Sequence, residues 1–401
     1  MDRLRLGYLS GAPRVSTRPE ASASGPRAHV LGVINGFRAL GWEVKPFIFG
    51  DEVPLPWVEK EGDVALSQSW VRRLVADLVR LGLGGINSFR ALRKLGRVDW
   101  VYERFGAFQA LGYLFQRRGV PWILETNGIL FVEADQDRKS LALKDVERKV
   151  ELWAYRQADV VVAVSSELKE LLVEHGVSAR KVLVVPNGVD IARFAPKLVE
   201  YQNPIPVLGF VGTLYTWQAL DVLLKALAHL KGEGVIYHLV VVGDGPQREA
   251  WEKMAGELGL ADQVRFLGRV PGDEVPNWIA GFDLAYSGQV PTASGRMYHS
   301  PLKLYEYMAM AKPVVASALG DAKTLIGEDE RGYLFLPGDV EDLARALRKA
   351  YQERRLWPVK GQKARELIVR EHSWEARVRD MVAQVEGILE EKYGTPYPAR
   401  R

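Results

Sequence analysis

A serine-proline pair, followed by a lysine and a glutamate, has the clearest chemical content in the chain. In the run Ser300-Pro301-Leu302-Lys303, Ser300 is the expected N-cap of a helix and Pro301 its first residue. Amides at such a start, near Leu302 and Lys303, attract anions, and the lysine ammonium adds a full charge. Glu306, one turn further on, can accept hydrogen bonds from two vicinal ribose hydroxyls. The pattern predicts a nucleoside diphosphate site, and the alternative is a surface helix with an ordinary charged face.

A loop of small residues near the N-terminus is a second candidate for ligand binding. Residues 24–30 read SGPRAHV and lead into the periodic helical pattern of residues 30–40. Gly25 would let a ligand approach the backbone closely, because it has no side chain. A solvent-exposed loop of small residues is the alternative.

Polar side chains at the ends of two predicted strands form a third group of candidates. Glu103 and Glu125 end these strands, Asn127 follows the second, and His29 lies in the N-terminal segment. Because ligands of open α/β sheets bind at the carboxyl ends of the strands, each could lie beside a reacting group. Each could equally be a structural polar group whose hydrogen bonds are satisfied within the protein.

The elements that position these residues alternate between β-branched strands and amphipathic helices, which indicates parallel sheets with crossover helices. The 401 residues favour two domains, separated by a proline-bearing linker at 196–206. The fold class expected is α/β, with two Rossmann-like domains facing each other across a cleft. The domains expected are 1–196, 197–372 and a final helix in 373–401 that packs back towards the first. Strands are expected at 4–9, 43–48, 100–102, 122–125, 160–164, 181–185, 207–211, 238–242, 264–267, 284–286, 314–316 and 332–336.

The composition limits the classes of binding partner and the cellular compartment that we expect. The chain has a formal net charge of +4 and no cysteine, which rules out disulfides and thiolate metal sites and favours a reducing compartment such as the cytoplasm. No basic block interleaved with aromatic residues suggests nucleic acid, and the short apolar stretch at the N-terminus predicts neither a signal peptide nor a membrane span.

Residues 69–97 are both basic and apolar, and two interpretations apply. The stretch could lie on an anionic membrane, at the inner face, and deliver a lipid-linked acceptor. It could instead be a pair of helices that cover the N-terminal sheet with their arginines in water. We favour the covering helices, because an α/β domain needs such helices in any case.

Several ordered motifs resemble those of the retaining glycosyltransferases of family 4, and they extend over almost the whole chain. Residues 300–317, SPLKLYEYMAMAKPVVAS, resemble the C-terminal signature of a serine-proline-x-lysine subgroup. Residues 159–165, 185–190, 242–246 and 266–270 resemble the interdomain strand, the hinge and two nucleotide-domain loops. The resemblance implies a GT-B fold, a nucleoside-diphosphate sugar as substrate with no cofactor, no metal, and same-face transfer in which the leaving phosphate takes the acceptor's proton.

Site residues follow from the resemblance position by position. It implies that Glu306 binds the ribose, that Gly268, Arg269 and Val270 hold the base, and that residues 24–30 face the donor phosphates and the acceptor. The donor-binding set it implies is Gly25, Gly212, Thr213, Gln218, Gly243, Gly268, Arg269, Val270, Ser300, Leu302, Lys303 and Glu306. The catalytic set is Lys303, Asn127, Glu125 and His29.

Four positions depart from the family pattern. Tyr298 stands where the family has a first glutamate, and Asn127 stands where it has a sugar-contacting histidine. Thr213 and Gln218 replace the arginine and lysine that neutralise the diphosphate. Lys303 is the best remaining cation, and Arg104 and Arg296 are further candidates.

These observations predict a hexosyltransferase whose donor is a nucleotide sugar. The expected acceptor is a saccharide, a glycolipid or other lipid-linked acceptor, or a small molecule. The alternative is a non-catalytic sugar-nucleotide-binding scaffold or a partner-dependent subunit of the same fold. A more distant alternative is a nucleotide-sugar epimerase or a phosphorylase.

Overall fold

The computed structural model describes residues 3–21, 24–59, 69–136, 141–197, 204–291 and 295–394, and within them the chain forms two parallel sheets of six strands each. The first sheet has the order β2-β1-β3-β4-β5-β6, with the strands Arg5–Ser10, Glu43–Ile48, Trp100–Arg104, Trp122–Thr126, Val160–Ala163 and Val182–Val184 numbered β1 to β6. The second has the order β12-β11-β10-β7-β8-β9, with Val207–Val211, His238–Val242, Val264–Gly268, Leu284–Ser287, Val314–Ser317 and Gly332–Phe335 numbered β7 to β12. This confirms the predicted α/β class.

Helices connect these strands. In chain order α1 to α8 are Gly25–Ala39, Leu55–Glu59, Trp70–Leu95, Tyr113–Gln116, Leu130–Gln136, Lys144–Gln157, Ser166–Glu174 and Leu220–Gly232. The helices α9 to α15 are Arg248–Glu257, Val275–Ala280, Leu302–Ala309, Asp321–Ile326, Val340–Gln352, Trp357–Leu367 and Trp374–Tyr393. A single π-helical turn, Ile368–His372, joins the last two.

The strands are apolar runs because they are buried. Every residue of β5, β10 and β11 is buried, as expected for parallel strands that are covered on both faces. All strand pairings in both sheets are parallel. The chain therefore returns across each sheet through the helices, which brings the loops that follow the strands to one edge.

Each sheet has a point at which the chain reverses its direction of winding. In the second sheet the chain moves outward from β7 to β8 and β9, and then continues with β10 on the other side of β7. The loops after β7 and β10 consequently diverge and leave a crevice at their carboxyl ends. In the first sheet the chain likewise moves outward from β1 to β2 and then continues with β3 on the other side of β1.

The chain divides into two compact units, and their boundary differs from the predicted 196/197. One unit contains residues 1–186 and 374–401, and the other contains residues 187–373. Residues after 186 belong to the second unit because Val189 donates its N–H to His372 at 3.0 Å and Phe194 is buried in that unit's core. Residues 198–203 of the predicted linker lie outside the described residues.

The final helix, α15, packs against α1 within the first unit. Two glycines of α1 make this close contact possible. A Cβ atom on Gly32 would lie 2.1 Å from the Trp374 ring, and one on Gly36 would lie 2.6 Å from Val378. The absence of side chains at these two positions therefore determines how closely the two helices pack.

Two helices differ from their predicted form. The helix expected at 30–40 begins earlier, at Gly25, because the Ser24 hydroxyl accepts a hydrogen bond from the Arg27 N–H at 3.3 Å and caps it. Gly25 is thus a helical residue and not part of an open loop. The pair of helices expected at 69–97 is a single helix, α3, because its three internal glycines, Gly82, Gly84 and Gly85, do not interrupt it.

We predict that Gly32→Ala lowers the free energy of unfolding of the first unit by about 1–3 kcal/mol, because the added methyl overlaps the Trp374 ring. Chemical denaturation of the full chain measures this. Gly82→Ala is the matched control: a Cβ there meets nothing within 4 Å, so we expect a gain of about 0.5–1 kcal/mol. Equal stability of the wild type and Gly32→Ala would contradict the packing described.

Candidate functional site

Three glycines bring the loops after β7, β8 and β9 into direct backbone contact. Gly212 donates its N–H to Val242 at 3.0 Å, and Gly243 donates its N–H to Gly268 at 2.8 Å. A Cβ atom on Gly243 would lie 2.0 Å from the Gly212 carbonyl oxygen. All three have positive φ angles, of +153°, +132° and +76° in sequence order, which side chains rarely tolerate. These loops form the carboxyl edge of the second sheet beside its crevice.

The helix α11 begins beside this edge, but Ser300 is not its N-cap. Pro301 is the capping residue, and no side chain caps the helix. The Ser300 hydroxyl instead donates to Asp321 at 2.5 Å and accepts from the Asn187 N–H at 3.0 Å. Ser300 thus attaches the hinge motif to the helix start, while the amides of Leu302 and Lys303 precede the first internal bond of the helix, from Leu304 to Pro301.

The ammonium group of Lys303 is buried at this helix start. The residue is 8% exposed, and its Nζ donates to the Gln218 side-chain oxygen at 2.5 Å and lies 4.0 Å from the centroid of the Phe210 ring. A Cβ atom on Gly212 would lie 2.9 Å from Nζ, so the ammonium adjoins the β7 loop. Burial lowers the pKa of Lys303 to about 7, although the charge of Glu306 acts in the opposite direction.

Glu306 lies one turn after Lys303 and is half-buried. Burial raises the pKa of this carboxyl to about 7, while the charges of Arg193 and Lys303 act to lower it. Arg193 is a site residue that the sequence analysis did not identify. It follows Asp190 of the hinge motif, and its position there was the available signal.

The other residues predicted at the donor site lie on the same loops with different exposure. Thr213 and Arg269 are exposed, and Val270 is partly buried against the core of the second unit. Arg248 was not identified from the sequence; its guanidinium bonds to Asp244 at 3.2 Å and would meet a Cβ on Gly268 at 2.7 Å.

Tyr298, at the position of the family's first glutamate, is fully buried and supplies no carboxylate.

In the first unit, four polar side chains converge on Glu125, at the carboxyl end of β4. Its oxygens accept from Tyr102 at 2.6 Å, from Arg104 at 3.0 Å and from Asn127 at 2.5 Å, and His29 Nε2 lies 2.7 Å away. The predicted residues His29, Glu125 and Asn127 therefore form one cluster. Arg104, a candidate phosphate ligand, is already engaged by this carboxylate.

The two strand-end glutamates of the first unit have pKa values shifted in opposite directions. Burial of Glu125 acts to raise its pKa, but the charges of His29 and Arg104 and the hydrogen bonds lower it to about 2. Glu103 accepts hydrogen bonds from the N–H groups of Leu111 and Gly112, both at 2.8 Å, and from the Trp122 side chain. Burial raises its pKa to about 7. Glu103 thus fixes a loop, whereas Glu125 is a buried anion with cationic partners.

No described helix is long and apolar enough to cross a membrane. Within the described ranges, no three histidine or acidic side chains are grouped as they are in a metal site.

Solved structures with the same fold define the class of the protein. The chain superposes on sucrose-phosphate synthase from Thermosynechococcus elongatus with a TM-score of 0.72 and 18% identity, over 97% of this chain and 100% of that one. It also superposes on Anabaena HepE in complex with UDP-glucose with a TM-score of 0.61 and 20% identity, over 98% and 100% of the two chains. The two sheets, with their glycine loops at the carboxyl edge, therefore have the GT-B fold.

Two family models identify the chain further. The model of Glycosyltransferase Family 4 matches residues 23–193, and that of Glycosyl transferases group 1 matches residues 205–353. The chain belongs to these glycosyltransferases. It is 31% identical over 215 residues to the 2-deoxystreptamine glucosyltransferase of Streptomyces kanamyceticus. That match covers 51% of this chain and 54% of the relative, so the chain spans about half the length of that protein.

We predict that Glu125→Gln lowers the free energy of unfolding by about 3 kcal/mol at pH 7, because it leaves the partly buried Arg104 guanidinium without its counter-ion. The contribution depends on pH: the folded pKa of Glu125, about 2, is below its ordinary 4.5. The stabilisation is therefore fully present above pH 4.5 and is lost as the pH falls towards 2.

Denaturation of the wild type and Glu125→Gln between pH 7 and pH 3 measures this difference. Glu43→Gln is the control, since that side chain is 51% exposed. A stability difference that does not change across this range would refute the charge assignment.

Proposed function

We propose that the chain transfers a hexose from a nucleoside-diphosphate sugar to a saccharide, glycolipid or small-molecule acceptor, with retention of anomeric configuration and without a metal ion. The observation that carries the proposal is the buried ammonium of Lys303 at the start of α11, beside the glycine loop after β7. The family membership supports sugar transfer, and the name of the Streptomyces relative supports a glucosyl or related hexosyl donor.

Departure of a nucleoside diphosphate requires stabilisation of the negative charge that it gains in the transition state. Three features of the second unit supply positive potential at one place. These are the amides of Leu302 and Lys303, the dipole of α11 and the Lys303 ammonium. Because this ammonium is buried, its attraction to an anion is weakened by water less than that of a surface lysine.

Lys303 compensates for the charges missing at positions 213 and 218. Gln218, where the family pattern has a lysine, accepts a hydrogen bond from the Lys303 ammonium. The cation therefore lies next to that position although it comes from a different element. We propose that Gln218 positions the ammonium and that Glu306 binds the ribose hydroxyls in its ionised form.

The cluster around Glu125 in the first unit contains the other residues of the predicted catalytic set. Glu125 is held as an anion by its four partners and is poorly suited to donate or accept a proton. The acceptor proton then passes to the leaving phosphate oxygen, as the bond from the anomeric carbon to that oxygen breaks and the new bond to the acceptor oxygen forms on the same face. His29 and Asn127, both bonded to Glu125, act as polar contacts to the sugar or the acceptor.

A second candidate function is a scaffold that binds a nucleotide sugar without turning it over. It is favoured by the absence of the usual cations at Thr213 and Gln218 and of a carboxylate at Tyr298. Donor turnover separates the two candidates. We place the protein in the cytoplasm, which its lack of cysteine supports.

We predict that the chain releases nucleotide from at least one of the uridine, guanosine and adenosine diphosphate sugars when acceptor extracts are present. Activity persists in a chelator such as EDTA, because the developing charge is stabilised by Lys303 and helix amides. Proton NMR of the first product shows the anomeric configuration of the donor. Absence of turnover with every donor would instead support the scaffold, and loss of activity in EDTA or an inverted product would refute the corresponding part of the proposal.

We predict that Lys303→Met lowers kcat/KM by about 100-fold or more, because it removes the cation that faces the leaving diphosphate. The thermal midpoint remains nearly unchanged, since a neutral side chain of similar length is buried without the cost of desolvating a charge. Steady-state kinetics and thermal unfolding measure the two effects. Lys323→Met is the control, because Lys323 is an exposed lysine of the same unit; retained activity in Lys303→Met rules out the assignment.

A further inference from the structure

The helix α3 presents its apolar residues to solvent and its polar residues to the protein. Val71, Val75, Leu78, Gly82, Ile86 and Phe89 follow one another at steps of three or four residues, which places them on one face. The apolar side chains of this set are 54–62% exposed. We name this face the α3 stripe. Trp70, Val79 and Leu81 flank it and are 57%, 53% and 41% exposed.

The inward face of α3 is polar and closely packed over most of its length. Asp77 is fully buried and accepts hydrogen bonds from the backbone N–H groups of Ala142 and Leu143, at 2.7 and 2.9 Å. A Cβ atom on Gly84 would lie 2.6 Å from the Phe108 carbonyl oxygen. The branched apolar side chain of Leu95 and the methyl of Ala91 are buried near the end of the helix.

These contacts determine the orientation of the helix. A rotation that buried the α3 stripe would remove Asp77 from two backbone amides and from Arg80, its partner at 2.9 Å. It would also place larger side chains where only Gly84 fits. The apolar stripe is therefore held outward by the polar contacts beneath it.

The helix α3 carries an excess of positive charge. Its exposed basic residues are Arg72, Arg90, Arg93 and Lys94, and Arg97 follows just beyond its end. The helix contains a single acidic residue, Asp77, which is buried. Arg90 and Lys94 share Glu52 as a partner, whereas Arg72 and Arg93 lie beside the exposed apolar side chains. A surface that combines apolar area with a positive charge complements a bilayer that has anionic headgroups.

We propose that α3 is a membrane-docking helix that lies in the interface of an anionic lipid bilayer, with the α3 stripe towards the acyl chains and its arginines at the headgroups. The helix is about 39 Å long, so it lies along the surface and does not cross it. Docking of this kind would bring the chain to acceptors carried on lipids. The proposal rests on the surface of the first unit and not on the proposed donor chemistry.

The test is sedimentation of the full chain with vesicles, in a comparison of neutral phosphatidylcholine with a mixture containing phosphatidylglycerol. We expect the wild type to bind the anionic vesicles, with weaker binding at high salt, and to remain unbound with neutral ones. The double variant Val75→Ser/Leu78→Ser should bind anionic vesicles at least about tenfold more weakly. Leu356→Ser/Val359→Ser is the matched control, because these residues are 50% and 56% exposed on the other unit; it should bind as the wild type does.

Two results would overturn the proposal. One is a wild type that stays in the supernatant with anionic vesicles, and the other is a Val75→Ser/Leu78→Ser variant that binds as well as the wild type. Sedimentation velocity tests the competing occupant, a second copy of the chain. A dimer that dissociates in this variant, without vesicle binding by the wild type, would assign the stripe to self-association. Turnover of a water-soluble acceptor should be the same in the variant and the wild type, so loss of docking and failure of the donor chemistry are distinguishable.

Discussion

The ammonium group of Lys303 is buried against an aromatic ring and is hydrogen bonded to a neutral amide, and the ionised form is costly in such surroundings unless an anion is bound. The elements around it are arranged to bring that anion close. Gly212 leaves room for the ammonium beside the β7 loop, and α11 begins at the same place with amides that precede its first internal bond. The close backbone contacts of the glycine loops maintain this arrangement. A bound diphosphate would supply the missing counter-charge, so donor binding and the protonation of Lys303 should be coupled.

Much of the fold could be predicted because buried parallel strands leave a strong apolar signal. Each of the twelve expected strands has a counterpart among the described residues, with ends that differ by no more than two residues. The boundary between the two units was harder to predict from the sequence than the strands were. The residues that attach the hinge to the second unit, such as Asn187 and Phe194, act through contacts with Ser300 and with the core that lie far along the chain. The proline-bearing stretch that we took as the linker follows the division at 186/187, whereas the hinge motif at 185–190 spans it.

The candidate site shows the same distinction between local and distant information. The helix that carries Lys303 and Glu306 could be predicted from residue types, because a helix start with a lysine is a local pattern, and its role in donor binding stays a prediction. The prediction that Ser300 is the N-cap of this helix was wrong, because its hydroxyl is hydrogen bonded to Asp321 and Asn187 instead of the helix amides. The contact between Lys303 and Gln218 joins residues 85 positions apart, and no sequence pattern reveals it. The orientation of α3 was not predicted, because it depends on the polar contacts of Asp77 and the close approach at Gly84, which involve residues far along the chain.

The central claim is that the diphosphate of the donor binds against the buried ammonium, and the number of protons taken up on binding tests it most directly. Isothermal titration with a nucleotide sugar at pH 8, in buffers of different ionisation enthalpy, measures this number. Because the pKa of Lys303 is about 7 in the empty site, the account predicts uptake approaching about one proton per donor at pH 8, less at pH 6, and none at pH 8 in Lys303→Met. Binding without proton uptake at pH 8, or equal uptake in the wild type and Lys303→Met, would contradict the account.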